Sequence, residues 1–138
     1  MVMLYPVPKY PHMLPVEAEL WDKFLAIRRP EFIKLEYDVH VGELIDEPPG
    51  LPEYLKGMLQ AVYRKRIDVV AYDPDRIYVI EVKPRAGLSA IGQVMAYKLL
   101  YQDEFTPNVP VEMRIVCERI ATDIPRIAKE LNIGIWQV

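Results

Sequence analysis

Apolar positions in this chain change period several times, and the changes mark its elements. Val16, Leu20, Phe24 and Ile27 recur at three- and four-residue steps, with Trp21 and Leu25 beside them. That spacing predicts a helix over residues 16–29, stopped by Pro30. On a helical projection Glu17 falls within the apolar face and Glu19 well outside it. Phe32, Ile33, Leu35, Tyr37, Val39 and Val41 follow a strand-like alternation over 31–41. Two apolar runs, Ile67 to Tyr72 and Ile77 to Lys83, flank Asp73-Pro74-Asp75-Arg76 and read as a β-hairpin. Ile91, Val94, Met95, Leu99 and Leu100 predict a helix from Ala90 to about Tyr101, with Ser89 as its N-cap and Pro84 ending the strand before it. Val111 to Cys117 reads as a strand, Ile124 to Leu131 as a helix and Ile133 to Val138 as a last strand.

The expected order is therefore α-β-β-β-α-β-α-β, a mixed sheet covered by helices. Its 138 residues suit one domain with a real core. Pro6, Pro8, Pro11 and Pro15 are four of thirteen prolines, so residues 1–14 read as an extended arm. Residues 42–62 read as an insertion, with a loop at Asp46 to Gly50 and a short helix from Pro52 to Val62.

Three charges interrupt the hairpin: Asp68 in its first run, Glu81 and Lys83 in its second. Strand interiors seldom carry charge without a partner or a task. A turn centred between Pro74 and Asp75 puts Asp68 directly opposite Glu81, with Cβ atoms about 5 Å apart. Lys83 shares a face with Glu81 because strand side chains repeat every two residues. Two carboxylates that close repel unless a cation lies between them. Mg²⁺ accepts one or two carboxylates, waters and phosphate oxygens. Asp68 and Glu81 supply that set, and the Val82 backbone carbonyl can add an oxygen. Lys83 would then project toward the attacked phosphate.

Composition narrows the classes. Net charge is −3, so no whole-chain electrostatic case for nucleic acid exists; local basic groups remain at Arg28-Arg29 and Arg64-Lys65-Arg66. A single cysteine, Cys117, excludes an internal disulfide and a thiolate metal cluster and reads as a small core residue. No apolar run nears the roughly 20 residues of a membrane span, and no signal peptide is visible, so a cytoplasmic location is expected. His12 and His40 are far apart in sequence and read as incidental or structural.

Ile67-Asp68 followed by Glu81-Val82-Lys83, after a helix bearing an acid, resembles the PD-(D/E)xK nuclease superfamily. Its restriction-endonuclease-like αβββαβ core would correspond to residues 16–117, with the C-terminal α-β pair and the insertion as additions. The resemblance implies Asp68 and Glu81 as metal ligands, Lys83 as catalytic lysine and Glu17 as the first-helix acid and a further metal ligand, with Glu19 as fallback. Gln93-x-x-x-Tyr97 resembles the motif of RecB-like and Holliday-junction-resolvase-like branches, where the Gln helps hold the active site or substrate. Ile67 stands where the family name has Pro, at a position that varies widely. The absence of clustered cysteines departs from the iron–sulfur members. The implied activity is Mg²⁺- or Mn²⁺-dependent phosphodiester hydrolysis in repair, recombination or replication, with DNA expected over RNA. Arg64, Lys65, Arg66, Arg85 and Lys98 are candidate backbone contacts, and two cuts on two strands favour a homodimer. The alternative is a non-catalytic or partner-dependent nucleic-acid-binding module on the same fold. A weaker third reading is an interaction protein whose acids pair with Arg64 or Arg66.

Overall fold

In the computed structural model, which describes residues 10, 12–28 and 31–138, the two apolar runs around Asp73 do form a hairpin. Strands β2 (Lys65–Tyr72) and β3 (Ile77–Ala86) pair antiparallel, with Tyr72 opposite Ile77 and Val69 opposite Ile80. The Asp73 carboxylate shapes the turn by accepting from the Asp75 and Arg76 amides at 2.8 Å each.

The sheet runs β1-β2-β3-β4-β5 in space as in sequence. β1 (Lys34–Val41) lies antiparallel to β2. β3, β4 (Val111–Ile120) and β5 (Ile133–Gln137) are parallel, joined by crossover helices α3 (Leu88–Phe105) and α4 (Ile124–Glu130). Helix α1 (Pro15–Arg28) precedes β1, and α2 (Glu53–Tyr63) occupies the insertion. The result is the expected mixed α/β architecture, the αβββαβ order with an added α-β pair.

Each sheet face carries its own core. On one, α3 and α4 cover Val70, Val79, Ile115 and Cys117 through Ile91, Val94, Ile124 and Ala128. On the other, α1 and the residues just before it cover Val69, Ala71, Ile80, Val82 and Val116. Phe24 anchors this second layer, stacked on Trp21 and on Trp136, each at a ring spacing of 5.1 Å. Arg28 lies over the far side of the group, 5.0 Å from the Trp136 ring.

Several sequence expectations need correction. Val16 and Ile27 are exposed, because the buried stripe of α1 is centred on Leu20, Trp21 and Phe24. Met95 and Leu99 lie on the outer side of α3, whose buried residues are Ala90, Ile91, Val94 and Tyr101. That helix starts at Leu88 after Gly87, so Ser89 is not its cap. Residues 1–9 and 11 of the predicted arm lie outside the described set. Its described end is no free arm: Tyr10 and Met13 are buried, and the Tyr10 hydroxyl donates to Asp22 at 2.8 Å.

Pro84 does not end β3. The β2–β3 partners nearest the fork are Val69 and Ile80, while pairing with β4 continues to Ala86. Beyond that point β3 has a neighbour on one side only, and a missing N–H is tolerated where no strand needs it. Ile33 is exposed, and the alternation of β1 does not hold one face. Leu35 and Tyr37 pack on the α1 side, Val39 and Val41 on the α3 side. Between them Asp38 adopts a left-handed φ of 54°.

Phe24→Ala should lower unfolding free energy by about 3–5 kcal/mol, since it empties the space between two tryptophans. Urea denaturation measures this, and a loss below about 1 kcal/mol would refute the packing role given to Phe24.

Candidate active site

The site forms where β2 and β3 part. Continuing the register of Val69 and Ile80 by one residue sets Asp68 opposite Glu81, as the turn position predicted. The Asp68 side chain reaches across the fork: its Oδ2 accepts from the Val82 amide at 2.9 Å. A carboxylate thus takes the place of a ladder hydrogen bond that the diverging strands no longer make. Asp38 also lies opposite Asp68 by register, so the face change of β1 falls beside the same residue.

Glu81 is almost completely enclosed, at 2% exposure. Burial, followed by the nearby Asp68 carboxylate, pushes its pKa up to about 9. Asp68 is raised in the same direction, first by burial; the Val82 amide, His12 and Lys83 pull against this. Lys83 also opposes the rise at Glu81, so its ammonium is within electrostatic reach of both acids. Two carboxylates share one buried corner, and both are held toward the neutral form.

The structure brings most of the sequence-predicted residues to this corner. Glu17 is the α1 acid close enough to Asp68 to disfavour its charge. Its Oε1 also accepts from the Leu14 amide at 3.0 Å, which fixes the start of α1. Glu19 instead lines a separate cleft with Val16, Leu20, Lys23 and Glu118. Tyr97 of α3 is half-buried; its phenol is raised by burial, then by Glu81 and Asp68. Gln93, one turn earlier, has a buried Oε1 with no hydrogen-bond partner among the described residues.

Of the basic candidates, Arg66 stays near Tyr97 but pairs with Asp38, Nε to Oδ1 at 3.3 Å. Lys65 and Arg85 are exposed. Two of the basic candidates lie elsewhere. Arg64 is a structural clamp, donating to the Gly42 carbonyl at 2.7 Å and to Glu104 at 2.9 Å. Lys98 lines a cleft with Val111, Glu112 and Met113 at the opposite end of the sheet. Ile77 pairs with Val111 but Glu81 with Ile115, about 13 Å further along the strand.

The sequence reads His12 as incidental or structural; the structure places it beside Asp68. Its Nε2 lies 3.8 Å from Asp68 Oδ1, and its side chain is 3% exposed. Both ring nitrogens lack hydrogen-bond partners among the described residues. The signal that could have found it is local: Tyr10 and Met13, two apolar residues flanking His12, are both buried and pin that segment to the sheet.

These donors suit a hard divalent cation. No group of three His, Cys, Asp or Glu side chains that could hold a metal occurs among the described residues. Mg²⁺ does not need one, because it keeps several waters and takes substrate oxygens. The polar atoms converge on the fit: Glu81 Oε1 and both His12 nitrogens are buried near Asp68 with no hydrogen-bond partner among the described residues. Asp68 and Glu81 are the two carboxylates that would hold such an ion, with His12 Nε2 3.8 Å from Asp68.

No protein-family model matches the chain, and no curated protein matches it in sequence. The likeness lies in the fold, a mixed α/β fold. A repair endonuclease from Pyrococcus abyssi superposes with a TM-score of 0.53 at 18% identity, over 96% of this chain and 49% of the other. An EndoMS complex with double-stranded DNA also matches at 0.53, with 14% identity, over 100% of this chain and 48% of the other. The chain thus spans about half the length of these two proteins. No helix among the described residues is long and apolar enough to cross a membrane.

The raised acids set the pH dependence. Folded Glu81 holds its proton where the unfolded residue, with an ordinary pKa of 4.5, has lost it. Stability from this group is present below about pH 4.5 and is lost as pH climbs toward about 9. Thermal melts of the metal-free protein should fall across that window, and Glu81→Gln should flatten the fall. Mn²⁺ should raise the melting temperature more at pH 8 than at pH 5.5. Equal shifts at both values, or none, would contradict a carboxylate-held ion.

Proposed function

We propose that the chain is a metal-dependent nuclease that hydrolyses phosphodiester bonds of DNA. The observation that carries this reading is the enclosed Asp68–Glu81 pair with Lys83 beside it. Burying two like charges is unfavourable, and a site of this kind makes physical sense when a cation completes it. The two structural neighbours support the substrate class: one is a repair endonuclease, the other EndoMS in complex with double-stranded DNA.

Asp68, Glu81 and His12 would hold Mg²⁺ or Mn²⁺, with the Val82 carbonyl as a further oxygen donor. Such an ion, when bound, polarises the scissile phosphate and makes a coordinated water more acidic. Lys83 offsets the negative charge that builds on the attacked phosphate and orients the attacking water. Tyr97, held toward its neutral form, remains a hydrogen-bond donor at the α3 side. Gln93 offers its buried amide oxygen to water or substrate. Glu17 steadies the α1 side of the corner and adds negative potential near Asp68.

The test is a cleavage panel of linear, circular, single-stranded and branched DNA, with and without Mg²⁺ or Mn²⁺. Metal-dependent cleavage of at least one substrate is expected. Asp68→Ala, Glu81→Ala and Lys83→Ala should each reduce the rate at least about a hundredfold. Cleavage that persists in Asp68→Ala and Lys83→Ala would sink the assignment. Binding without cleavage by the intact protein would favour the non-catalytic module.

His12 has its own readout. His12→Ala should weaken Mn²⁺ binding by roughly 10–100-fold, measured as the Mn²⁺ concentration dependence of the melting temperature. An unchanged dependence would remove His12 from the ligand set.

A further inference from the structure

Two arginines close the parallel pair just past Lys83. Arg85 of β3 and Arg119 of β4 are register partners. Partners on adjacent strands lie about 4.8 Å apart and project to the same face. Both are exposed. Arg28, Arg64, Arg66, Arg76 and Arg114 each hold a carboxylate; Arg85 and Arg119 hold none among the described residues. The first turn of α3, which follows directly, carries no acid. Glu118, next to Arg119, lines the cleft with the α1 residues Val16, Glu19, Leu20 and Lys23.

Like charges directly opposite each other across a strand pair are destabilising. The backbone gives these two little room to separate. Ala86 pairs with Ile120 one residue further on, and the Ala121 amide donates to the Ala86 carbonyl at 2.9 Å. Two guanidinium groups held side by side on a rigid strand end make a receptor for a tetrahedral anion, because each can present a fork of donors to the same phosphate.

The spacing from the catalytic corner points to a particular phosphate. Arg85 follows Lys83 by two residues, a strand step of about 6.6 Å. That is the scale of one nucleotide step along a sugar-phosphate strand. We propose that Arg85 and Arg119 clamp the DNA phosphate next to the one under attack. This rests on the nuclease reading and adds to it a residue, Arg119, and a direction in which the substrate strand leaves the site.

Fluorescein-labelled duplex DNA, titrated by anisotropy at several salt concentrations with Ca²⁺ in place of Mg²⁺, tests the clamp. The double variant Arg85→Ala/Arg119→Ala should lose about 0.9 from the slope of log K against log salt, the contribution of one phosphate contact. The two single variants should be non-additive, since they share one anion. Arg126→Ala, an exposed control on α4, should keep the wild-type slope. A single neutral methylphosphonate walked along the duplex should weaken wild-type binding at a linkage beside the cut, and the double variant should show no dip there. A folded double variant with the wild-type slope and the wild-type dip overturns the clamp. If that variant also cleaves with metal, the nuclease reading stands without it. If the double variant loses the slope while the wild type never cleaves, the two arginines still share a phosphate, but the nuclease reading and the placement beside a cut are overturned. Absence of any DNA binding by the wild type overturns both.

Discussion

Everything near the site depends on one enforced proximity, that of Asp68 and Glu81. Hairpin register sets the two residues opposite each other, and the enclosing side chains leave Glu81 almost no solvent. Neither acid can escape by rotating far: Asp68 is held to the Val82 amide, and Glu81 lies in a strand paired with β4. The repulsion is therefore built in by the backbone. It is relieved either by a proton, which the raised Glu81 pKa reflects, or by a cation. The same corner can thus be stable without an ion at low pH and ready to take one as pH rises.

The geometry that makes this possible is a sheet that stops being regular at one place. The β2–β3 ladder fades after Val69 and Ile80, and Asp38, opposite Asp68, turns β1 over with a left-handed φ. Pro84 lies just past the fork, where β3 has no partner on its β2 side. A continuous ladder would bury Asp68 as an unmatched charge in the middle of a sheet. The fork instead gives its carboxylate a backbone donor, the Val82 amide.

Much of this is legible in the sequence because it rests on period and register. Asp68, Glu81 and Lys83 stand out as charges within apolar strands, and the turn position alone puts the two acids opposite each other. The α-β order is readable for the same reason. What escapes reading depends on tertiary context. Helix period marks an apolar stripe but not its centre, so Val16, Ile27, Met95 and Leu99 read as inward-facing when they are not. Pro84 looks like a strand end because sequence does not say which side of a strand lacks a neighbour. Arg64 looks like a free cation; its partners, Gly42 and Glu104, lie 22 and 40 residues away. His12 is invisible as a site residue because only the burial of Tyr10 and Met13 brings its segment to the sheet.

Strand β3 shows why the chemistry and the stability of this chain are hard to separate. Its odd positions Glu81 and Lys83 would carry the proposed chemistry. Its even positions Tyr78, Ile80 and Val82 belong to the aromatic layer under α1. The same layer holds Tyr10 and Met13, and so the segment that delivers His12. Tyr10 packs on Tyr37 at a ring spacing of 4.8 Å and reaches Asp22 on α1. Glu17 and His12 are thereby tied to β3 through one apolar cluster rather than through polar contacts with each other. An interior packed at crystal-like density transmits small shifts instead of absorbing them. The unfavourable carboxylate pair is held in place by favourable burial on the reverse face of its own strand. A substitution that loosens the Trp21–Phe24–Trp136 stack therefore acts on the distance between the two acids without touching either.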